Sequence, residues 1–442
     1  MSPAPLLLIV GMHRSGTSLL GSLLSACGIA MPGPLIGGDT HNPEGYFERA
    51  DVTALQEQLL IDLERWWPSP RGMHPLPEGW LESPLGQQAL SDLIALLQPE
   101  AERQQSPWAI KDPRSSLLLP LWKAACQRLA IPLKLLLAVR EGQVDAVDAL
   151  LDGGANIDQV SAGDHTSPML MASINGHYDL VMRLIKRGGN PNLASDAGAA
   201  PLFAVLNKEW APSTRTPQPA FQLQQQATYL VVVEALLKAK ANPNARLTRS
   251  LWYTTYNRDN LGVDFTGATP FFRAAYATDI PAMKLLLAGG ADPMIATIKP
   301  KPRSRRGAVA VTREDPSGLA PIPDGGLGVL AIHAAAGVGY GQGFAANDHR
   351  HTPDGWLPAM RFLIEELKFD VNARDFSGYT PLHHAAARGD NVMIEYLLSK
   401  GADVMAVARS GQTTVDMANG PVQRISPFLD TVALLEKLGA KN

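Results

Sequence analysis

A turn followed by two helical patterns recurs along the last two thirds of this 442-residue chain, and this recurrence limits the fold more than any other feature. Its clearest copy spans Gly378–Asp390, where Thr380 opens a Thr-Pro-Leu-His turn, and it closes on Gly401–Asp403. The corresponding Thr413 follows Thr380 by 33 residues. Proline suits the first turn of a helix, and glycine near a helix end permits a positive φ. A fixed period of this size indicates that one small helical unit repeats along the chain.

Degenerate copies of the turn begin at five other positions: Ser167, Ala200, Thr269, Leu330 and Thr413. Together these copies resemble the ankyrin-repeat family, whose turn reads Thr-Pro-Leu-His. The resemblance implies about six repeats stacked as an all-α ankyrin-repeat solenoid over residues 141–442, with another protein bound on its concave face and loops. Residues 141–151 match only the second half of a repeat. We expect His383 to hydrogen-bond between neighbouring turns rather than to take part in catalysis.

Four insertions interrupt the array, near residues 209–226, 247–264, 297–326 and 337–356. Insertions of this kind map to loops, often on the binding face. Aromatic residues and arginine dominate interface hot spots, so the second insertion supplies our candidate partner-binding residues: Trp252, Tyr253, Tyr256 and Arg258. The alternative is that Trp252 and Tyr256 cover an adjacent repeat.

The other insertions carry weaker signals for ligands. Basic residues between Lys299 and Arg306 could meet an acidic partner or nucleic acid, but the absence of interleaved aromatic residues favours a solvated loop. His349 and His351 could hold a metal, yet no nearby cysteine or glutamate completes a ligand set. We therefore expect no metal.

The first third of the chain follows a different pattern, in which a strand, a glycine-bearing loop and a helix succeed one another. The apolar run Leu6–Val10 is typical of a buried parallel strand, and Leu19–Leu24 has helical spacing. Between them lies Gly11–Ser18, where backbone N–H groups and a helix N-terminus would point at one spot suited to phosphate or sulfate. The alternative is a tight turn without a ligand. A kinase is disfavoured because the loop lacks the Lys-Ser/Thr pair of nucleotide-binding loops.

Two more apolar runs, Trp108–Lys111 and Leu133–Arg140, read as strands and are separated by helical patterns. Alternating strands and helices predict an α/β fold with a parallel sheet, and ligands of such sheets bind beyond the carboxyl ends of the strands. Lys111, Arg114 and Arg140 stand at those ends. The sequence therefore places three cationic clusters, counting the loop, at one edge.

Three motifs in this region resemble bacterial sulfotransferases that use 3′-phosphoadenosine-5′-phosphosulfate (PAPS): the Arg-Ser-Gly-Thr loop, the segment 42–48 and the Lys-Asp-Pro-Arg turn at 111–114. The resemblance implies a P-loop-like fold and a donor site formed by Gly11, Arg14, Ser15, Gly16, Thr17, Ser18 and Arg140. It also implies sulfate transfer to a hydroxyl acceptor.

The same resemblance suggests catalytic roles for Glu48, Lys111 and Arg114, with Glu48 as the base and the two cations acting on sulfate or acceptor. His13 and Asp112 are further candidates for the base. Each role has a structural alternative: Glu48 could cap a helix, Asp112 could pair with Arg114, and His13 could fill the loop.

The resemblance stops where the repeats begin. The family continues with Arg-x-Pro and a serine eight residues after the arginine, which bind the 3′-phosphate of the donor. Here Arg140 is followed by Gly142 and Asp148 at those positions. We therefore predict a multi-domain chain with an incomplete α/β domain over 1–140 and an ankyrin-repeat domain over 141–442. Two functions stay open: a protein-interaction module with a weak or inactive donor-binding domain, or an active sulfotransferase whose acceptor the solenoid recruits.

Composition narrows the partners. A net charge of −3 gives no general attraction to nucleic acid or an anionic membrane. Leu6–Val10 is too short to span a bilayer and leads into a loop rather than a cleavage site, so the expected location is the cytoplasm. Cys27 and Cys126 lie far apart in apolar helical patterns, and we expect both to be buried free thiols.

Overall fold

The computed structural model describes residues 3–10, 17–38, 45–65, 76–137, 147–148, 151, 156–161, 163–212, 220–251, 261–300, 315–341, 345–420 and 426–440. The chain divides into two compact units, residues 1–156 and 157–442. The boundary predicted at residues 140–141 lies outside the described residues.

A three-stranded parallel sheet organises the first unit. Its strands are β1 (Leu6–Val10), β2 (Trp108–Lys111) and β3 (Leu133–Leu137), in the order β2-β1-β3. Ile9 of β1 pairs with Lys111 of β2. Parallel strands are buried on both faces, which is why continuous apolar runs form them. The predicted parallel sheet is confirmed, and the carboxyl ends of its strands share one edge.

The described helices that accompany the sheet are α1 (Thr17–Ala26), α2 (Ala50–Asp62), α3 (Pro84–Arg103) and α4 (Leu119–Arg128), with a 3₁₀ turn (Pro113–Ser116) before α4. Ser83 caps α3, since its Oγ accepts the Gly86 N–H at 3.1 Å. Prolines at 113 and 120 separate the 3₁₀ turn from α4, because each suits the first turn of a new helix. Leu121, Trp122 and Ala125 of α4 are buried together in the core.

The two cysteines differ in environment. Cys126 lies in the apolar core on α4, and burial raises the pKa of its thiol to about 12. Cys27 is exposed, so the prediction that it is buried is wrong. Helix α1 ends at Ala26, and Cys27 therefore stands in a turn rather than on a packed helix face.

The second unit contains six helix pairs within the described residues. The pairs are α5 (Pro168–Asn175) with α6 (Tyr178–Lys186), α7 (Pro201–Glu209) with α8 (Tyr229–Lys238), α9 (Pro270–Tyr276) with α10 (Ile280–Ala288), α11 (Ala331–Ala336) with α13 (Trp356–Arg361), α14 (Pro381–Arg388) with α15 (Asn391–Ser399), and α16 (Thr414–Ala418) with α17 (Leu429–Lys437). A short helix, α12 (Ala345–Asp348), precedes α13, which continues into a π-helical turn over Phe362–Glu366. A 3₁₀ turn, Phe221–Gln224, precedes α8. Among the described helices none is both long and apolar enough to cross a membrane.

Neighbouring pairs stack through their first, or inner, helices. Each inner helix contacts the inner helix of the next pair, and it also contacts the outer helix of its own pair. The turns begin the inner helices as the sequence predicts: the hydroxyls of Thr269 and Thr380 accept the N–H groups of Phe272 and His383. Single helix pairs cannot bury their apolar faces alone, so the stack is what stabilises them.

Two buried histidines tie one turn to the next. His383 Nδ1 accepts the Thr380 N–H at 3.2 Å, which leaves the proton on Nε2, 3.3 Å from the carbonyl oxygen of Gln412 in the following turn. His333 repeats the arrangement with the Ala373 carbonyl oxygen at 2.9 Å. The predicted structural role of His383 is confirmed.

A ladder of Asn and Asp side chains also joins the closing turns. Asn192 Oδ1 accepts the Asn242 N–H at 2.7 Å, while Asn192 Nδ2 donates to the Lys240 carbonyl at 2.9 Å. Asn244 makes the same two bonds to the third pair. At the equivalent position of the third pair stands Met294, whose side chain cannot continue the ladder in this way. The bonding resumes at Asn372, which accepts the Asp403 N–H at 2.7 Å.

Candidate functional site

The first unit gathers a group of charged side chains where β2 ends. Glu48 lies alongside this strand, where it forms an isolated parallel bridge with Lys111. The Lys111 ammonium is 2.5 Å from Glu48 Oε1 and donates to the Tyr46 carbonyl at 2.9 Å. Glu48 is 6 % exposed and Lys111 is 2 % exposed. The two form a buried ion pair, which is stable only because each charge has a close partner.

Arg114 completes this ionic cluster from the 3₁₀ turn. Its guanidinium donates to Glu48 Oε2 at 3.3 Å, to Asp112 Oδ1 at 3.0 Å and to Glu57 Oε1 at 2.5 Å. Burial alone would lower the pKa of Arg114, but the charges and hydrogen bonds of Asp112 and Glu57 outweigh it and raise that pKa. Three carboxylates thus surround two cations.

Helix α2 supplies a second layer that the sequence reading missed. Thr53 Oγ1 donates to Asp112 Oδ2 at 2.7 Å, and Gln56 Oε1 accepts from both Ser115 Oγ and Trp122 Nε1 at 3.0 Å. Thr53, Gln56 and Glu57 fall on one face of the helix because they are three and four residues apart. These three polar residues form a stripe on a helix that otherwise buries apolar residues, and this stripe was the sequence signal that could have revealed the second layer.

The structure therefore brings the three predicted catalytic residues into direct contact. Both oxygens of Glu48 accept hydrogen bonds from cations, and Asp112 pairs with Arg114. In this arrangement Glu48 holds the cations in place. Acting as a base would require it to leave at least one of them.

Most of the predicted donor residues lie outside the part of the chain that the structure describes. Gly11, Arg14, Ser15, Gly16 and Arg140 lie outside the described residues, as does His13. Thr17 and Ser18 are described as the backbone of the first turn of α1. The four predicted partner residues, Trp252, Tyr253, Tyr256 and Arg258, also lie outside the described residues.

Four inner helices of the second unit, α7, α9, α11 and α14, have no open face over most of their length. Every residue of 201–207, 270–276, 331–336 and 381–387 is buried. In a stack only two helices deep, one side of each inner helix would face solvent. A third layer must therefore lie over this side.

That third layer comes from the insertions. Leu251, Leu261 and Val263 share one apolar cluster with Phe203 of α7 and Phe272 of α9. Val338 and Ala345, from the insertion after α11, belong to the same cluster. We call the described parts of these two insertions, 247–251 with 261–265 and 337–341, the cover. The concave face named in the prediction is an internal core where the cover lies on it.

The histidines of the fourth insertion are half-buried and pack against aromatic side chains. The ring of His349 stacks on Tyr276 with centroids 4.1 Å apart, and His351 lies 4.4 Å from the Trp356 ring. Burial, with the charge of Arg273 added, lowers the pKa of His349 well below its usual value. In the part of the chain that the structure describes, no three His, Cys, Asp or Glu side chains are grouped to hold a metal ion.

Comparison with known proteins finds a family match for one segment of the chain. The family model for ankyrin repeats (many copies) matches residues 363–418, which hold the fifth helix pair and parts of its neighbours. A palmitoyltransferase akr1 from Aspergillus oryzae is 48 % identical over 52 residues, or 12 % of this chain and 7 % of that protein. A mouse protein phosphatase 1 regulatory subunit 12A is 32 % identical over 92 residues, or 21 % of this chain and 7 % of that protein. This chain thus spans less than a tenth of the length of either relative.

Two solved structures align with much of the chain. The human ASB11 ankyrin repeat domain aligns with a TM-score of 0.40 and 17 % identity, covering 66 % of this chain and 93 % of that one. The Bcl-3 ankyrin repeat domain aligns with a TM-score of 0.35 and 19 % identity, covering 63 % and 88 %.

Proposed function

We propose that this chain is a protein-interaction scaffold whose helical repeats present inserted loops to a partner protein. The observation that carries the proposal is the contact of each inner helix with the next across six helix pairs, together with the ankyrin-repeat match at 363–418. A stack of this kind holds its loops at fixed spacing, which suits recognition of another folded protein.

For the contact itself we propose the side chains of Trp252, Tyr253, Tyr256 and Arg258. Large aromatic side chains and arginine supply most of the binding energy at interfaces. The described residues on either side support this choice, because Leu251 is 4 % exposed and Leu261 is 2 % exposed in the inner-helix cluster. The chain that carries the four side chains thus leaves from and returns to the cover. In this proposal the partner contacts these four side chains rather than the inner helices.

Affinity purification of the tagged full chain, with quantitative mass spectrometry, tests this function. The variant Trp252→Ala/Tyr256→Ala should lose a partner that the unchanged chain recovers, while both keep the same melting temperature. The matched control is Val392→Ala/Leu429→Ala, which truncates exposed apolar residues on outer helices. If no protein is recovered more strongly by the unchanged chain than by the loop variant, the proposed contact is wrong.

As a second candidate we propose that the first unit binds PAPS, as a substrate, beyond the carboxyl ends of its strands. The register supports this because Ile9 pairs with Lys111, so the segment after β1 begins beside the ionic cluster. Lys111 and Arg114 are already neutralised by three carboxylates, so the donor would depend on Arg14 and the backbone of Gly11–Ser18. Donor binding is therefore better supported than sulfate transfer.

Thermal unfolding with and without millimolar PAPS tests the second candidate. Ligand that binds only the folded state raises the melting temperature. We expect a small rise that Arg14→Ala abolishes, whereas Arg103→Ala, at an exposed position on α3, retains it. No rise at millimolar PAPS would remove both donor binding and the enzyme hypothesis.

A further inference from the structure

The third insertion does not stay with the helix pairs that flank it in sequence. Its base is a short antiparallel bridge between Ile298 and Leu327, beside α11. Its returning arm, residues 315–320, reaches the turns that open the fifth and sixth pairs, where Arg409 stands. We call this arm the strap. The contacting residues of the strap and Arg409 are about 90 residues apart in the sequence.

Arg409 binds both the main chain of the strap and the Asp315 carboxylate. Arg409 donates to Asp315 Oδ2 at 2.6 Å, to the Leu319 carbonyl at 3.3 Å and to the Ala320 carbonyl at 2.6 Å. The arginine itself is positioned by the fifth turn, because its backbone N–H donates to the Ser377 carbonyl at 3.0 Å. A guanidinium has several N–H donors, so it can bind main-chain carbonyls and a carboxylate of one peptide at the same time.

Two glycines lie against the strap. A Cβ at Gly378 would lie 3.2 Å from Leu319 Cδ1, which is tighter than an ordinary contact, whereas one at Gly411 would lie 3.5 Å from Pro316 Cγ, in ordinary van der Waals contact. Both glycines have positive φ, +83° and +85°, which their turns require. Both glycines therefore serve the turns, and Gly378 also leaves room for the Leu319 side chain.

The strap has the character of a bound ligand rather than of a core segment. It forms no helix or strand: Pro316 and Ser317 form a turn, and Gly318 follows with φ of +66°. Asp315 and Ala320 are exposed, and the Arg409–Asp315 pair is partly exposed, so it contributes little stability. A segment held this way can exchange with a competitor of the same chemistry.

We propose that the surface formed by Arg409, Gly378 and Gly411 is a binding site for acidic, proline-containing peptides that adopt this turn, and that the strap occupies the site in cis. The proposal deepens the proposed scaffold function by adding a second contact surface and a class of partner. Such a peptide presents a carboxylate four residues before an apolar side chain, as Asp315 precedes Leu319. Because the strap is tethered, its effective concentration is on the order of millimolar, and a partner must overcome that advantage.

Fluorescence anisotropy with the full chain tests the site directly. The probe is a labelled synthetic peptide, Asp-Pro-Ser-Gly-Leu-Ala-Pro-Ile-Pro, the sequence of residues 315–323. The strap variant Asp315→Ala/Leu319→Ala should bind this probe at least about tenfold more tightly than the unchanged chain, because its own strap competes less. Adding Arg409→Ala should remove that gain, while Arg361→Ala, an exposed arginine on α13, should leave it intact.

Hydrogen exchange provides a readout that does not depend on the probe. Arg409→Ala should speed exchange of the backbone N–H groups over 315–322 and leave α14 and α15 unchanged. Equal probe binding by the unchanged chain, the strap variant and the Arg409 variant, or strap exchange unaffected by Arg409→Ala, would overturn the proposal. The proposed function is separate, since partner capture through Trp252 and Tyr256 can persist when the probe does not bind.

Discussion

Gly339 lies directly beneath the carbonyl oxygen of Leu261, so close that a Cβ at this glycine would overlap that oxygen. The two residues belong to the two insertions that form the cover, and their contact fixes one part of the cover on the other. Val263 Cγ2 would also lie 3.2 Å from the added carbon. The glycine further has φ of +96°, a conformation that other residues rarely adopt.

Gly339→Ala is therefore expected to lower the free energy of unfolding by about 3 kcal/mol, from steric overlap and backbone strain together. Gly401→Ala is the matched control, since its φ is +89° but a Cβ there meets nothing within 4 Å. That control should lose about 1 kcal/mol. Urea unfolding measures both, and equal losses would mean that the cover does not press on Gly339.

The buried histidines predict a particular dependence of stability on pH. Burial, reinforced by the neighbouring His384, lowers the pKa of His383 to about 3, and burial lowers the pKa of His333 to about 4. Both are neutral when folded, whereas the unfolded chain protonates its histidines near pH 6.5. The unfolded state then binds more protons below that pH, so stability is complete above it and falls as the pH drops toward 4.

We expect these two histidines together to lower the unfolding free energy by about 3 kcal/mol between pH 6.5 and pH 5. His383→Asn keeps a donor and an acceptor but does not titrate, so this variant should be less stable at pH 7 and should lose about 1.5 kcal/mol less than the unchanged chain on acidification. Urea unfolding at both pH values measures the two slopes. Parallel slopes for the variant and the unchanged chain would contradict the low pKa of His383.

The sequence predicted those parts of the fold that local patterns encode. Six copies of one turn led to six helix pairs, and apolar runs led to three parallel strands, because both patterns depend on neighbours within a few residues. The location of the insertions was also readable. Their packing could not be predicted, because Leu251 and Leu261 pack in one cluster with Phe203 and Phe272 and no sequence periodicity indicates these contacts.

The ionic cluster of the first unit was also predictable only in part. The rule that ligands bind beyond strand ends brought Lys111 and Arg114 together, and the structure adds Glu48 between them. The sequence could not show that these charges neutralise one another, because the orientation of α2, which carries Glu57, is decided by tertiary packing. The prediction that Cys27 is buried was wrong for a related reason, because an apolar pattern does not determine the residue at which a helix ends.

The Asn and Asp ladder should stabilise the junctions that it bridges. Asn244 Nδ2 donates to the Gly290 carbonyl at 3.1 Å, and its Oδ1 accepts the Asp292 N–H at 2.8 Å. Asn244→Ala removes both bonds and should cost about 1 kcal/mol in the free energy of unfolding. Met294→Ala alters the equivalent, exposed position of the next repeat and should change it by less than about 0.5 kcal/mol. Equal values from urea unfolding would show that the ladder contributes nothing.

The buried pair of Glu48 and Lys111 should behave as a coupled unit. Lys111→Met leaves Glu48 with Arg114 alone and should cost about 3 kcal/mol, as should Glu48→Met, because each leaves a buried charge short of a partner. The double variant should lose at least about 2 kcal/mol less than the sum of the two. The exposed pair Glu234 and Lys238, 2.6 Å apart on α8, is the control, with a coupling below about 0.5 kcal/mol. Urea unfolding of both sets gives the coupling energies, and additive losses at Glu48 and Lys111 would mean that the cluster is not held together by this pair.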